Sequence, residues 1–99
     1  MSRTLVYFYV YILMNHKRNV VYIGITRNLV KRVWEHKQDL VGGFTATYKV
    51  HTLVYFEVFE DPQSAIQREK QLKKWSRQKK NALIATINPT LKDLYPSII

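Results

Sequence analysis

Glu69 is the residue whose surroundings suit it least. Winding the segment after Pro62 as a helix, at about 100° per residue, brings Ala65, Leu72 and Trp75 together with Ile66 at the other margin. Glu69 falls inside that apolar stripe. A carboxylate there loses hydration unless something positive pairs with it, so Glu69 reads as half of a buried ion pair or as a metal ligand. Arg32 and His36 stand four apart and share one helical face, with Glu35 beside them. A guanidinium discourages the neighbouring imidazolium. Such a pair suits a site that grips phosphate with Arg32 and moves a proton with a neutral His36, although a solvated helix face would look the same. Of seven tyrosines, Tyr7, Tyr9 and Tyr11 alternate onto one face of an early strand. Tyr22 stands just before Gly24, where a missing side chain admits a close neighbour. The plainer reading of strand tyrosines is half-buried core.

A basic run surrounds Glu69. Arg68, Lys70, Lys73, Lys74, Arg77, Lys79 and Lys80 put seven positive charges in thirteen residues, opposed only by Glu69. An ordinary exposed helix interleaves both signs; this one does not, which favours contact with phosphates over mere solubility. The whole chain has the same bias, with 16 Lys and Arg against 7 Asp and Glu and a formal charge of +9. Such a field attracts polyanions: nucleic acid first, an anionic membrane surface second. The stretch lacks the broad apolar face that a membrane-surface helix needs.

The elements that must position these residues follow from local pattern. Leu5–Met14 is rich in Val, Tyr, Phe and Ile and predicts a buried strand, too short to span a bilayer. Although Arg3 precedes it, the run has no small-residue cleavage site and passes straight into Asn15-His16-Lys17-Arg18, so it does not read as a signal peptide. After this polar turn, Val20–Ile25 predicts a second strand and an antiparallel hairpin. Asn28 caps a helix over about residues 29–39, with Leu29, Val33, Val30 and Trp34 on its inward side. Gly42-Gly43 opens a polar loop carrying Thr45, Thr47 and Tyr48. A third strand spans residues 51–59, alternating Leu53, Tyr55 and Glu57 against Val54, Phe56 and Val58. Asp61-Pro62 starts a helix to about Trp75, and a further helix over 78–87 stops at Asn88-Pro89. The tail, with Leu91, Leu94, Tyr95 and Ile98, packs back on the body.

Ninety-nine residues with 46% apolar composition suffice for one core and one domain, residues 1–99. The chain has no cysteine, which removes disulfides, thiolate metal sites and cysteine nucleophiles together, and suits a cytoplasmic setting. Strands followed by helices predict an α+β domain, a three-stranded antiparallel sheet flanked by helices.

Placed in order, these pieces resemble the GIY-YIG nuclease superfamily. Tyr9-Val10-Tyr11-Ile12, then Tyr22-Ile23-Gly24, match its paired strand motif; Thr26-Arg27-Asn28-Leu29, Arg32 and His36, Glu69 in its basic helix, and Asn88-Pro89 continue the likeness across residues 6–94. The nearest likeness is to small stand-alone bacterial members of that superfamily. The resemblance implies hydrolysis of nucleic-acid phosphodiesters, DNA ahead of RNA, with one divalent ion, Mg²⁺ or Mn²⁺. By position it makes Tyr11 and Tyr22 the paired strand tyrosines, Arg32 the helical arginine, Glu69 the metal-ligating carboxylate, and Gly24 and Asn88 supporting residues. Two positions depart from the pattern: Tyr9 replaces the first glycine, and Ile25 stands where several repair and homing nucleases have lysine.

Arg32 would supply bidentate positive charge to a nonbridging oxygen. The base that deprotonates the attacking water is His36 or Tyr22, the imidazole having the better ordinary value at neutral pH, with Tyr11 orienting water or base. Arg27, Lys31, Arg68, Lys73, Lys74 and Arg77 are the candidate contacts to nucleic acid. The alternative is a nucleic-acid-binding module that does not cut, in which Glu69 is an ion-pair residue.

Overall fold

The computed structural model describes residues 5–99; Arg3 and the start of the expected domain lie outside them. Strand β1 (Phe8–Asn15) is central, with β2 (Val21–Thr26) and β3 (Val50–Phe59) antiparallel on either side, in the order β2-β1-β3. The structure is α+β, as the sequence predicts. Helices α1 (Leu29–Lys37) and α2 (Phe44–Tyr48) lie between β2 and β3, and α3 (Pro62–Lys74), α4 (Arg77–Ala85) and α5 (Tyr95–Ile98) follow.

Alternation along β1 divides the core between the two faces of the sheet. Val10, Ile12 and Met14 join Ala65, Leu72 and Ile84 on the face covered by α3 and α4. Tyr11 and Leu13 join Leu29 and Val33 on the face covered by α1, with Leu94, Tyr95 and Ile98 of the tail packed against them. The tail therefore packs back as expected. Trp34 is a correction: it turns outward and is 46% exposed, so the inward side of α1 is the narrower Leu29–Val33–His36 stripe. Ile66 is likewise exposed, outside the α3 stripe.

The hairpin and helix starts follow the expected chemistry. Asn15 Oδ1 accepts from the backbone N–H groups of Asn19 and Val20, both at 3.0 Å, and so shapes the β1–β2 turn. Asn28, Asp61 and Ser76 each cap a helix through the side-chain oxygen.

Strand β3 departs from strict alternation. Its register against β1 slips twice, leaving Val54 and His51 as extra residues. Leu53 consequently joins Phe56 on the Tyr11 face, while Val54 joins Tyr55 on the other. In both places an outside side chain takes the extra residue's carbonyl: Asn88 Nδ2 donates to Val54 O at 3.1 Å and Lys37 Nζ to His51 O at 2.8 Å. The tail completes the repair, since Leu94 N–H donates to Leu53 O at 2.8 Å and Asp93 accepts from Leu53 N–H at 3.2 Å.

The expected loop after Gly43 is instead the five-residue helix α2. Its Thr-rich composition favours helix poorly. Gly43, at φ +74°, turns the chain into it, and Thr45 is buried beneath it by a side-chain contact that local pattern does not reveal.

Candidate active site

The site begins with a contact between neighbouring strands. Tyr11 and Gly24 are directly opposed in the β1–β2 ladder, and the Tyr11 ring lies across the glycine. A Cβ at position 24 would fall 2.3 Å from the Tyr11 hydroxyl oxygen. Gly24 thus makes room for the first tyrosine of the motif, while Tyr22, two residues earlier, places a second ring on the same face.

The α1 helix brings His36 onto these rings. The centroids of Tyr11, Tyr22 and His36 are separated by 6.3, 5.8 and 5.4 Å, forming a triangle. His36 is 1% exposed, and both ring nitrogens are engaged: Nε2 with the Tyr11 hydroxyl at 3.0 Å and Nδ1 with Thr45 Oγ1 at 3.2 Å. Because Thr45 Oγ1 donates its own proton toward Val41 O, at 3.4 Å, it accepts from His36 Nδ1–H. Nε2 then carries the lone pair that accepts from Tyr11 O–H. Burial holds the imidazole down at about 4, with the Arg32 charge acting in the same direction, so His36 is neutral at physiological pH. Burial also pushes the Tyr11 phenol up to about 12, against the opposing pull of Arg32, so Tyr11 is a donor at rest.

Arg32 lies one helical turn before His36, beside the Tyr11 hydroxyl and 3.6 Å from the Glu35 carboxylate. Its side chain is 38% exposed, so it reaches the opening of the site while His36 stays beneath. Glu69 comes from α3. Its side chain is 16% exposed, its charge contributes to raising Tyr11, and it pairs with Lys73 at 3.3 Å. Among the described residues no group of three or more His, Asp or Glu is arranged to hold a metal. One largely buried carboxylate fits a hard cation that keeps most of its waters and takes further oxygens from a phosphate.

The remaining candidates separate by the contacts they already make. Asn88 is buried and holds backbone, donating to Val54 O and to Lys92 O at 2.8 Å, and accepting from Lys92 N–H at 3.1 Å. It supports β3 and the tail, and its side-chain hydrogen bonds go to Val54 and Lys92 rather than to the tyrosines. Arg68 is clasped by Glu57, with Nη2 at 2.9 Å, and lies over the Trp75 ring. Arg77 donates to the carbonyls of Arg18 at 2.9 Å and Asn19 at 3.1 Å, tying α4 to the β1–β2 turn. Arg27 lies over Phe8, and Lys31 and Lys74 are exposed. Thr45 is the site residue that sequence pattern missed. Its only local mark is a hydroxyl shortly after the paired glycines, which says nothing of a histidine nine residues earlier.

Comparison with known proteins points the same way as this geometry. The sequence profile of the GIY-YIG catalytic domain matches residues 7–81. A UPF0213 protein of Staphylococcus haemolyticus is 37% identical over 76 residues, covering 77% of this chain and 92% of its own. A UPF0213 protein of Clostridium perfringens is 40% identical over 78 residues, covering 79% and 83%. The solution NMR structure of a UPF0213 protein from Bacillus halodurans superposes with a TM-score of 0.57 at 25% identity, covering 88% of this chain and 92% of the other. Strand motif, helical Arg32 and His36, and the matched span together place the chain in the GIY-YIG family.

Proposed function

We propose that this protein is a metal-dependent endonuclease that hydrolyses nucleic-acid phosphodiester bonds, DNA ahead of RNA, at the Tyr11–Tyr22–His36 triangle. Membership in the GIY-YIG family supports a nuclease-type enzyme acting on nucleic acid. The observation that carries the finer reading is the buried Tyr11–His36 hydrogen bond with Arg32 at its open side.

In this reading Arg32 grips a nonbridging phosphate oxygen and offsets the charge that builds in the transition state. Glu69 is the residue that would hold a divalent ion, which when bound supplies Lewis-acid charge neutralisation at the phosphate. His36, enclosed and with both nitrogens occupied, does not reach water itself. It acts as a positioning residue that fixes the Tyr11 hydroxyl. Tyr22 is only half-buried and stands 5.4 Å from His36, ring to ring, so it is the phenol assigned to the attacking water. Lys31 and Lys74 are the candidates best placed to meet phosphate, because their charges are exposed.

A specific contact favours the second reading, a binding module without catalysis: Lys73 already partners Glu69. Glu69→Gln separates the two. With labelled duplex, single-stranded, nicked and branched substrates in Mg²⁺ or Mn²⁺, the nuclease loses cleavage on this substitution yet keeps its grip on nucleic acid. A wild-type chain that cuts nothing, with both proteins binding equally, would favour the module. Tyr22→Phe is expected to slow cleavage by about a hundredfold or more. A full rate in Tyr22→Phe would sink the assignment of the base, and a full rate in His36→Ala would remove the positioning role given to the imidazole.

A further inference from the structure

From the triangle an aromatic path leads outward over α2. Phe44 stacks on Tyr22 with centroids 6.4 Å apart and planes 30° apart, and Tyr48 follows 4.8 Å from Phe44. Both are unusually open for rings of their size, Phe44 at 48% and Tyr48 at 49% exposure. Beyond Tyr48 a groove of about 520 Å³ runs along the β1–β2 turn, lined in part by Lys17, Asn19 and Lys49. Asp39 pairs with Lys49 at 3.2 Å and with His51 at 2.7 Å, so Lys49 shares that carboxylate with a second partner. Lys17 is exposed, and the Lys49 side chain is 68% exposed.

We infer that Phe44 and Tyr48 form a stacking track for unpaired nucleotides next to the scissile phosphate, with Lys17 and Lys49 following the sugar-phosphate backbone. The substrate class is therefore nucleic acid with a single-stranded stretch at the cleavage site: a free strand, a flap or a branch. The inference rests on the phosphodiester-cleaving reading of Tyr22 and Arg32, because the track starts at Tyr22. Continuity and charge identify the occupant. Open aromatic faces reward any exposed base by stacking, and cations spaced beyond them reward its backbone. In a duplex the bases stack on one another and offer only their edges in the grooves, so flat rings on a five-residue helix would find no partner.

The test uses the full chain in EDTA at one fixed salt concentration, with a labelled oligothymidylate and a labelled duplex of equal length, followed by fluorescence anisotropy. Phe44→Ala and Tyr48→Ala are each expected to weaken single-strand binding by about 5- to 150-fold, the loss of one stacked base. Duplex binding should stay within about twofold, and Phe44→Trp should restore the single-strand affinity. Because both rings are half-open, melting temperatures should hold; Phe44→Leu, which keeps apolar area without a ring, guards against a folding defect and should behave like Phe44→Ala. Equal losses on both substrates, or no loss on either, would overturn the track. So would a dimer in sedimentation that Phe44→Ala dissociates, since a second copy of the chain would then be the occupant. Cleavage by the unmodified chain in Mg²⁺ or Mn²⁺ is scored separately. A protein that binds single strands through these rings but never cuts refutes the nuclease and keeps the track; one that cuts with rings irrelevant does the reverse.

Discussion

Tyr11 and its neighbours show how much of the candidate site depends on a single absent side chain. Gly24→Ala puts a methyl group 2.3 Å from the Tyr11 hydroxyl oxygen, and the buried ring, held against His36, has little room to yield. Overpacking of this kind costs roughly 1–3 kcal/mol, and the displaced phenol also loses His36. A lower melting temperature together with loss of cleavage is the expected result; unchanged melting would mean the ring has another place to go. His36 gives a pH signature. Its value in the fold, about 4, lies below the ordinary 6.5, so the unfolded chain takes up the proton first as pH falls. The stability is fully present above 6.5 and drains away between 6.5 and 4. Asp39, Glu57 and Asp61 are also held below their ordinary carboxylate values, Asp39 chiefly by the hydrogen bond from His51 and Asp61 by that from Ser64. For Glu57 the hydrogen bonds from Arg68 and Tyr55 outweigh the opposing effect of burial. Their losses belong to lower pH, leaving pH 6.5 to 5 as the window for the histidine. Melting curves across that window should fall for the unmodified chain and flatten for His36→Gln. The candidate tyrosines, Arg32, His36 and Glu69 were all legible as residue types at telling spacings. What spacing could not reveal is that His36 lies under Arg32 rather than beside it in solvent.

Among the elements, those with a repeating pattern were the readable ones. The three strands and α1, α3 and α4 appear in order, with ends displaced by a few residues, because apolar periodicity and capping residues are local signals. The misreadings, α2 and the faces of β3, are both settled by distant partners. Thr45 answers to His36, and the phase of β3 answers to Asn88 and Lys37. Asn88 matters here as a piece of architecture, since its amide satisfies backbone from β3 and from the tail at once. Asn88→Ala leaves the buried Val54 carbonyl without its donor, at about 1–3 kcal/mol, and also frees the part-buried Lys92 backbone. Thermal melting should register this as a large loss. Cleavage per folded molecule at a temperature below the transition should remain near that of the unmodified protein, because the amide is bonded to β3 and the tail and not to the residues of the triangle.

For the molecule as a whole, charge is the dominant property, and the structure sorts it. The formal +9 is not a uniform coat. Arg68, Lys73 and Arg77 have internal partners, whereas Lys31 and Lys74 face solvent. The sequence announces the total but cannot say which cations are occupied, since Glu57 and the β1–β2 turn come from far along the chain. Lys31→Ala and Lys74→Ala should each reduce the slope of log affinity against log salt by about 1 on any nucleic acid, without changing melting. Arg68→Ala and Arg77→Ala should act the other way, lowering the melting temperature because each loses a fold contact. A salt slope unmoved by both lysine substitutions would place the phosphate footprint elsewhere on the surface.

The two slips in β3 also bear on how this strand could change length. An insertion or deletion within a regular strand turns every following side chain to the wrong side of the sheet. Val54 is an exception, because it is already the surplus residue between Leu53 and Tyr55. Removing it would leave Leu53 and Phe56 on the side of the tyrosines and Tyr55 on the other. The cost would fall on one valine's packing and on the Asn88 hydrogen bond. At this position a shorter relative could keep the triangle intact, and at Phe56 it could not.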